Sequence, residues 1–246
     1  TARSRGLGDV YKRQIETLCE NGYSLTTPPF LMNREAYEGV VDLTDFEEVM
    51  YKIEDHDLYL IATSEHPITA RFKNEIIELK DGPLKFAGIS TNFRREVGAH
   101  GISDRGIWRV HQFSKVEQVI ICKPEDSKEM HNEILENAKL IFKKLEIPFR
   151  VIDICTGDIG TVAARKFDIE AWMPSSKKWK EVVSASNCKS YQSVRLNMRY
   201  RTQEGTDFPH TLNSTAVATT RALAAIIENN QTCLLYTSPS PRDLAV

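Results

Sequence analysis

The feature that most constrains this chain is a pair of long strand-like runs, Phe86–Glu96 (FAGISTNFRRE) and Ile107–Cys122 (IWRVHQFSKVEQVIIC). Only the polar segment Val97–Gly106, with three glycines, separates them, and it reads as a hairpin loop. Further strand-like runs follow at Phe149–Cys155, Phe167–Met173 and Lys178–Ser186. Two stretches stand out as helical. In Ser127–Glu146, the residues Met130, Ile134, Leu135, Ala138, Ile141, Phe142 and Leu145 recur at helical spacing. Asp126 and Glu129 offer a capping box there, and Pro148 ends the run. In Thr219–Glu228 the apolar set is Ala222, Leu223, Ala224, Ile226 and Ile227, stopped near Asn229 and Asn230. Strands dominate and do not alternate with helices. The expected class is therefore α+β, a mainly antiparallel sheet flanked by helices, and not a series of βαβ units.

Charge and cysteine content narrow the function classes. The chain of 246 residues carries 32 Lys+Arg against 34 Asp+Glu, a net −2, which excludes nucleic-acid binding through bulk electrostatics but leaves room for a local basic site. Hydrophobic residues at 41% and charged residues at 27% argue against wholesale disorder and against a fibrous repeat. No apolar run approaches the ~18–20 residues of a membrane span. No basic segment leads into an apolar stretch as in a secretory signal. Cys19, Cys122, Cys155, Cys188 and Cys233 are odd in number, widely spaced and without a C-x-x-C pair. A reducing, cytoplasmic setting follows, rather than a disulfide framework or a Cys-rich zinc site.

The two ends read as foreign to the rest. Ser4–Gln14 (SRGLGDVYKRQ) and Cys233–Asp243 (CLLYTSPSPRD) can be encoded by DNA strands that are reverse complements, shifted by one base. The pair resembles a translated sequencing adapter read in both directions. We therefore expect residues 1–14 and 233–246 to be non-native, residues 15–232 to be one catalytic-type domain, and the natural protein to extend beyond both. Between Ile15 and Thr232 there is no internal repeat. No G-x-x-x-x-G-K-S/T and no G-x-G-x-x-G follows a strand, so a P-loop or Rossmann site has no support.

Strand parity concentrates the chemistry. If Ile107–Gln118 is a strand, Arg109, His111, Phe113, Lys115 and Glu117 share one face, and Trp108, Val110, Gln112, Ser114 and Val116 the other. Arg94 and Glu96 share a face by the same rule. On residue content alone this is first a solvated hairpin with cross-strand charge pairs. An aromatic ring flanked by cations is also what adenine and its phosphates require.

The run FRRE…IWRVHQFSKVEQ resembles motif 2 of the class II aminoacyl-tRNA synthetases, in their seryl branch. LTTPPF around Pro28 and Pro29 resembles the end of motif 1, and Ser214–Gln231 resembles motif 3, with Arg221 as its arginine. ATSEHP (Ala62–Pro67) is similar to the family's amino-acid loop, and EVVS (Glu181–Ser184) to its ATP loop. These matches fall in the family's order and cover nearly all of residues 15–232. The motif 3 form is more like archaeal and eukaryotic members than bacterial ones.

The resemblance implies a serine–tRNA ligase core that uses ATP and Mg²⁺, with L-serine and tRNA(Ser) as partners, no membrane, and a homodimeric parent protein. It implies that Arg94 bridges the serine carboxylate and the ATP α-phosphate, and that Arg109 and Arg221 hold the β- and γ-phosphates. Arg94 and Arg221 are then the catalytic residues. Glu96 and Val110 would line the adenine pocket beside Arg95, and Phe113 would stack on the base. Glu181, Val182, Val183 and Ser184 would contact ATP, with Glu181 and Ser184 as Mg²⁺ ligands. On a regular strand Glu181 and Ser184 face opposite ways, so they converge only at a bulge or a strand end. Thr63, Ser64, Glu65, Glu117 and Thr215 would select serine. His66, His100 and His111 lack ligand spacing with any cysteine and are read as ordinary residues, and Cys188 has no second metal ligand in view. The alternatives are a paralogue that loads serine onto a carrier protein and a non-catalytic RNA-binding or regulatory paralogue. The family's N-terminal coiled-coil arm is missing from this sequence, which we attribute to truncation.

Overall fold

The two long strand-like runs pair with each other as expected. In a computed structural model that describes residues 7–97 and 106–231, Leu84–Phe93 and Gln112–Cys122 form an antiparallel ladder without a slip. In chain order the elements are α1 (Leu7–Glu20), β1 (Ser24–Thr26), β2 (Leu31–Met32), α2 (Arg34–Glu38), α3 (Leu43–Phe46), β3 (Tyr59–Leu60) and α4 (Glu65–Ala70). They continue as β4 (Ile76–Ile77), β5 (Leu84–Phe93), β6 (Gln112–Cys122), α5 (Ser127–Lys144), β7 (Phe149–Asp153), β8 (Arg165–Met173) and β9 (Lys178–Lys189). The chain then forms α6 (Tyr191–Arg195), β10 (Arg199–Arg201), β11 (Thr206–Asp207), β12 (His210–Ala218) and α7 (Thr219–Asn229).

The main sheet has seven strands in the order β1-β5-β6-β12-β9-β8-β7. Only β1 joins in parallel, on β5, and the other pairings are antiparallel. The α+β expectation holds. Strand β6 is central and buried on both faces, with residues alternating between two cores. Val116, Ile120 and Cys122 join the core under α5 and α7, with Ile134, Ala138, Phe142 and Ala225. Val119 and Ile121 join a second core with Tyr37, Ile61, Ile68, Leu196 and Met198. Full burial of each of these large side chains contributes about 1.5–3 kcal/mol. No helix among the described residues is long and apolar enough to cross a membrane.

Several boundaries differ from the sequence reading. Strand β6 starts at Gln112 and not Ile107, because Gly106 (φ +87°) opens a turn closed by Arg109 N–H donating to Gly106 O at 3.3 Å. Strand β5 stops at Phe93, and Glu96 adopts a left-handed φ of 50° that no strand tolerates. Strand β9 runs on to Lys189. The capping box at Asp126 does not form. Pro124–Asp126 is a 3₁₀ turn leading into α5, so Asp126 has a helical φ/ψ and its side chain caps nothing. The hairpin loop lies, apart from Val97 and Gly106, outside the described residues, and so does His100. Helix α1 crosses the boundary drawn at Ile15. The rest of the two end segments, residues 1–6 and 233–246, is also outside the described residues, as is Thr232.

Candidate active site

One face of β6 makes the floor. Phe113, Lys115 and Glu117 follow one another on it, and on the neighbouring strand Thr215 stands opposite Glu117. Two irregularities aim the walls. The β6–β12 register slips between Thr215 and Val217, which leaves Ala216 as the extra residue. The β8–β9 register pairs Ile169 with Val183 but Glu170 with Glu181, so Val182 is the bulged residue. That bulge removes the parity conflict between Glu181 and Ser184, and both reach the same cavity.

The cavity has a volume of about 220 Å³ and collects Thr63, Glu65, Arg94, Glu96, Arg109, Val110, Phe113, Glu117, Glu181, Val182, Ser184, Thr215 and Arg221. These come from the loop before α4 and its first residue, the segment after β5, the turn before β6, β6 itself, the bulge of β9, β12 and the start of α7. Ser64, Arg95 and Val183 do not line it. Ser64 is fully buried, its hydroxyl donating to Gly88 O at 3.3 Å, Arg95 is exposed, and Val183 belongs to the core under α5. A second cavity of about 410 Å³ adjoins the first, sharing Phe46, Glu65, His66, Arg94, Ser184 and Asn213. Together they fall within the ~300–1,000 Å³ of ordinary ligand pockets.

Arginines define the electrostatics. The Arg94 guanidinium lies 5.4 Å from the centre of the Phe113 ring, and its Nε donates to Ala62 O at 3.3 Å. Burial, and then the nearby Arg221, push its pKa down, while Glu96, Glu181 and Glu117 pull it back. Arginine keeps its charge regardless, so two mutually repelling cations share a cavity that an anion would relieve. Arg221 is in the first turn of α7, donates to Glu181 O at 3.0 Å and to Glu181 Oε1 at 3.2 Å, and lies 5.7 Å from the Trp108 ring centre. The helix N-terminus adds its own attraction for anions. Arg109 is ion-paired to Glu96 at 2.5 Å, so these two reach the cavity as a pair and not as separate groups.

The far end is acidic. Glu65 Oε1 accepts from Gln192 Nε2 at 2.8 Å, and the Gln192 amide is held by Val40 O at 3.1 Å and Thr211 Oγ1 at 2.6 Å. Burial, reinforced by Glu117, raises the Glu65 carboxyl to about 7. Lys115 Nζ contacts Glu117 Oε2 at 2.6 Å and Thr63 Oγ1 at 2.9 Å. His66 packs edge-on to Tyr37 and Phe46, and burial, then Lys115 and Arg94, lower it to about 3, so it is neutral. His111 meets the Tyr51 hydroxyl. Cys188 is buried, with Asn213 Nδ2 at 3.6 Å from its sulfur.

Sequence reasoning missed Lys115, Trp108 and Gln192 as parts of the site. Lys115 had a signal, the parity it shares with Phe113 and Glu117. Trp108 and Gln192 had none, since one sits in a turn read as strand and the other in a helix of five residues.

No cluster of three or more His, Cys, Asp or Glu among the described residues is arranged to hold a metal alone. Mg²⁺ does not need one, because it binds through one or two carboxylates plus substrate phosphates. Glu181 presents a half-exposed carboxylate at the cavity. Asp168 accepts the Ser184 hydroxyl while its buried Oδ1 has no partner. That donor set fits the ion.

Residues 48–230 match the model of the tRNA synthetase class II core domain (G, H, P, S and T). The serine–tRNA ligase of Methanospirillum hungatei is 60% identical over 220 residues, covering 88% of this chain and 52% of that protein. The crystal structure of seryl-tRNA synthetase from Pyrococcus horikoshii complexed with ATP superposes with a TM-score of 0.86 at 51% identity, over 89% of this chain and 49% of that one. Cytoplasmic serine–tRNA ligase from Naegleria fowleri in complex with AMP superposes with a TM-score of 0.85 at 41% identity, over 92% of this chain and 55% of that one. The chain spans about half the length of the curated relatives it matches. Together with the antiparallel sheet and the clustered motif residues, the match over residues 48–230 makes this chain a member of the class II tRNA synthetase core-domain family.

Proposed function

We propose that this chain is the catalytic part of a serine–tRNA ligase, which activates L-serine with ATP and passes the acyl group to tRNA(Ser). The observation that carries the reading is the position of Arg94. It sits in one cavity with Phe113 and Arg221 on one side and the acids Glu65 and Glu117 on the other. A guanidinium there can hold the serine carboxylate and the ATP α-phosphate together.

The first step needs no side-chain nucleophile. A serine carboxylate oxygen attacks the α-phosphorus in line, the bond to the bridging oxygen of the β-phosphate breaks, and pyrophosphate leaves. Arg94 orients the two reactants and offsets charge that builds on the α-phosphate. Arg221 and Arg109 hold the departing phosphates, which requires Glu96 and Glu181 to share their partners with the ligand. Glu96 and Val110 border the adenine, and the Phe113 ring stacks on it. Glu65 takes the substrate ammonium. Thr63, Glu117 and Thr215 receive the side-chain hydroxyl. Mg²⁺, held by Glu181 and Ser184, would supply further neutralisation at the phosphates. In the second step a terminal ribose hydroxyl of the tRNA attacks the acyl carbon and AMP leaves. The exposed apolar residues Leu25, Phe30 and Leu31 support a homodimer of the whole protein.

The test is serine-dependent ATP–pyrophosphate exchange, followed by acylation of tRNA(Ser) transcript. Exchange with transfer to tRNA is the expected result. Exchange with transfer only to a carrier protein replaces the acceptor, and no exchange in a folded protein overturns the reading.

A further inference from the structure

Lys115 is the least accountable residue of the site. It is 5% exposed and lies on β6 between Phe113 and Glu117. No phosphate-holding role suits it, because its ammonium is already committed to Thr63 Oγ1 at 2.9 Å and Glu117 Oε2 at 2.6 Å. The second contact is an ion pair more than an aligned hydrogen bond. Burying an ammonium is costly, so its presence needs a reason.

Hydrogen-bond accounting supplies one. An ammonium only donates, so Thr63 Oγ1 must accept from Lys115. The same oxygen also receives Glu65 N–H at 3.4 Å. A hydroxyl has two acceptor sites and one hydrogen. With both acceptor sites engaged, the Thr63 side chain can offer a ligand only its hydrogen. Glu117 is the complement. Its Oε2 is sealed against the ammonium, which leaves Oε1 to accept from a ligand. Both residues line the same cavity, so one bound side chain can meet the two of them there.

We propose that Lys115 is a positioning residue that sets the hydrogen-bond polarity of the amino-acid pocket, making Thr63 a donor and Glu117 an acceptor, and that this fixed pair selects a hydroxyl side chain. The proposal rests on the serine reading above. A hydroxyl accepts from Thr63 and donates to Glu117 at once. A methyl group does neither and strands both. Sites that strand buried polar groups in this way reject the lesser analogue by about 10⁴–10⁵-fold. Without Lys115 the Thr63 hydroxyl can turn, and Glu117 becomes an unpaired buried carboxylate that competes for the substrate ammonium.

The test compares serine with alanine in ATP–pyrophosphate exchange, using the full chain, the Lys115→Met variant and the Lys115→Met/Glu117→Gln double variant. The double variant removes both buried charges and so guards against a failure to fold. We expect the ratio of kcat/KM for serine over alanine to fall by about 100-fold or more in both, with serine losing far more than alanine. Binding of a fluorescent ATP analogue to each variant reports that the nucleotide half of the site is intact. A ratio within about threefold of the unsubstituted chain, in either folded variant, overturns the role of Lys115 alone. No serine-dependent exchange in the unsubstituted chain overturns the serine reading, and this proposal with it.

Discussion

Glu117 and Gln118 are neighbours in β6, equally buried, and they point to opposite faces of the sheet. Gln118 faces α5. Its Nε2 donates to Ile134 O at 3.0 Å, and its carbonyl accepts from Asn137 Nδ2 at 2.9 Å. Asn137 in turn accepts from Asn21 Nδ2 at 3.0 Å, and the Tyr23 hydroxyl donates to Glu133 at 3.0 Å. That network is mostly neutral and closed, so it pins α5 and the chain after α1 to the sheet without cost from unpaired groups. Glu117 faces the cavity, among charges whose bonding capacity is left open. One strand therefore carries a saturated polar network for stability on one side and an unsaturated one for ligands on the other. Substitutions on the two faces should separate activity from stability.

The largest effect belongs to the open face. Arg94→Ala should lower serine-dependent ATP–pyrophosphate exchange by at least about 10³-fold, since it removes both orientation and charge neutralisation. Its melting temperature should hold or rise, because a half-buried, desolvated cation beside Arg221 is gone. Near-normal exchange in the folded variant would remove the bridging role. Next comes the closed face. Gln118→Ala removes the shorter of the two bonds that Asn137 Nδ2 donates and the one that Ile134 O accepts, and opens a small void, a cost of about 2–4 kcal/mol. A melting temperature lower by roughly 2–4 °C per kcal/mol is expected, with kcat/KM for serine unchanged at 25 °C. Calorimetry and exchange assays on both variants would break the contrast if each moved the same quantity.

A pH titration sharpens the contrast within the open face. Glu65 is raised to about 7, by burial first and Glu117 second, so in the free protein it is largely protonated below neutrality. Only the carboxylate pairs with the serine ammonium. Well below pH 7, kcat/KM for serine should therefore climb by about tenfold per pH unit, level off above it, and lose that slope in Glu65→Gln. The stability of the ligand-free protein runs the other way. A carboxyl with a raised folded pKa holds more protons folded than unfolded. Its contribution is thus fully present below about 4.5 and lost as pH rises through about 7. Opposite slopes of serine use and melting temperature, both flattened by Glu65→Gln, are the expected signature.

The sheet and the floor of the site were legible because period-2 alternation survives in Phe113, Lys115 and Glu117, and β5 pairs with β6 without a slip. Arg109 was placed near the site on the wrong ground. It is there because a turn at Gly106 folds it back onto Glu96, whereas a straight strand was assumed. Glu181 and Ser184 showed their conflict of parity openly, and a bulge at Val182 is what that conflict demanded. Gln192 was invisible, since its role depends on Val40, Glu65 and Thr211, residues remote in sequence that only the tertiary fold gathers. Asp126 failed for a local reason: a proline two residues earlier starts a tighter turn than a cap allows.

The smallest effect concerns a third glutamine. Gln14 in α1 is 2% exposed, and neither its Oε1 nor its Nε2 has a partner, unlike the amides of Gln118 and Gln192. A buried amide without partners costs about 1–3 kcal/mol. Gln14→Leu keeps the approximate volume and the helix propensity while removing that cost. It should raise the melting temperature by a few degrees, at roughly 2–4 °C per kcal/mol, and leave serine-dependent exchange where it was. A fall in melting temperature would instead mean that the amide is paired, through water or otherwise, and that position 14 belongs with the closed network of Gln118.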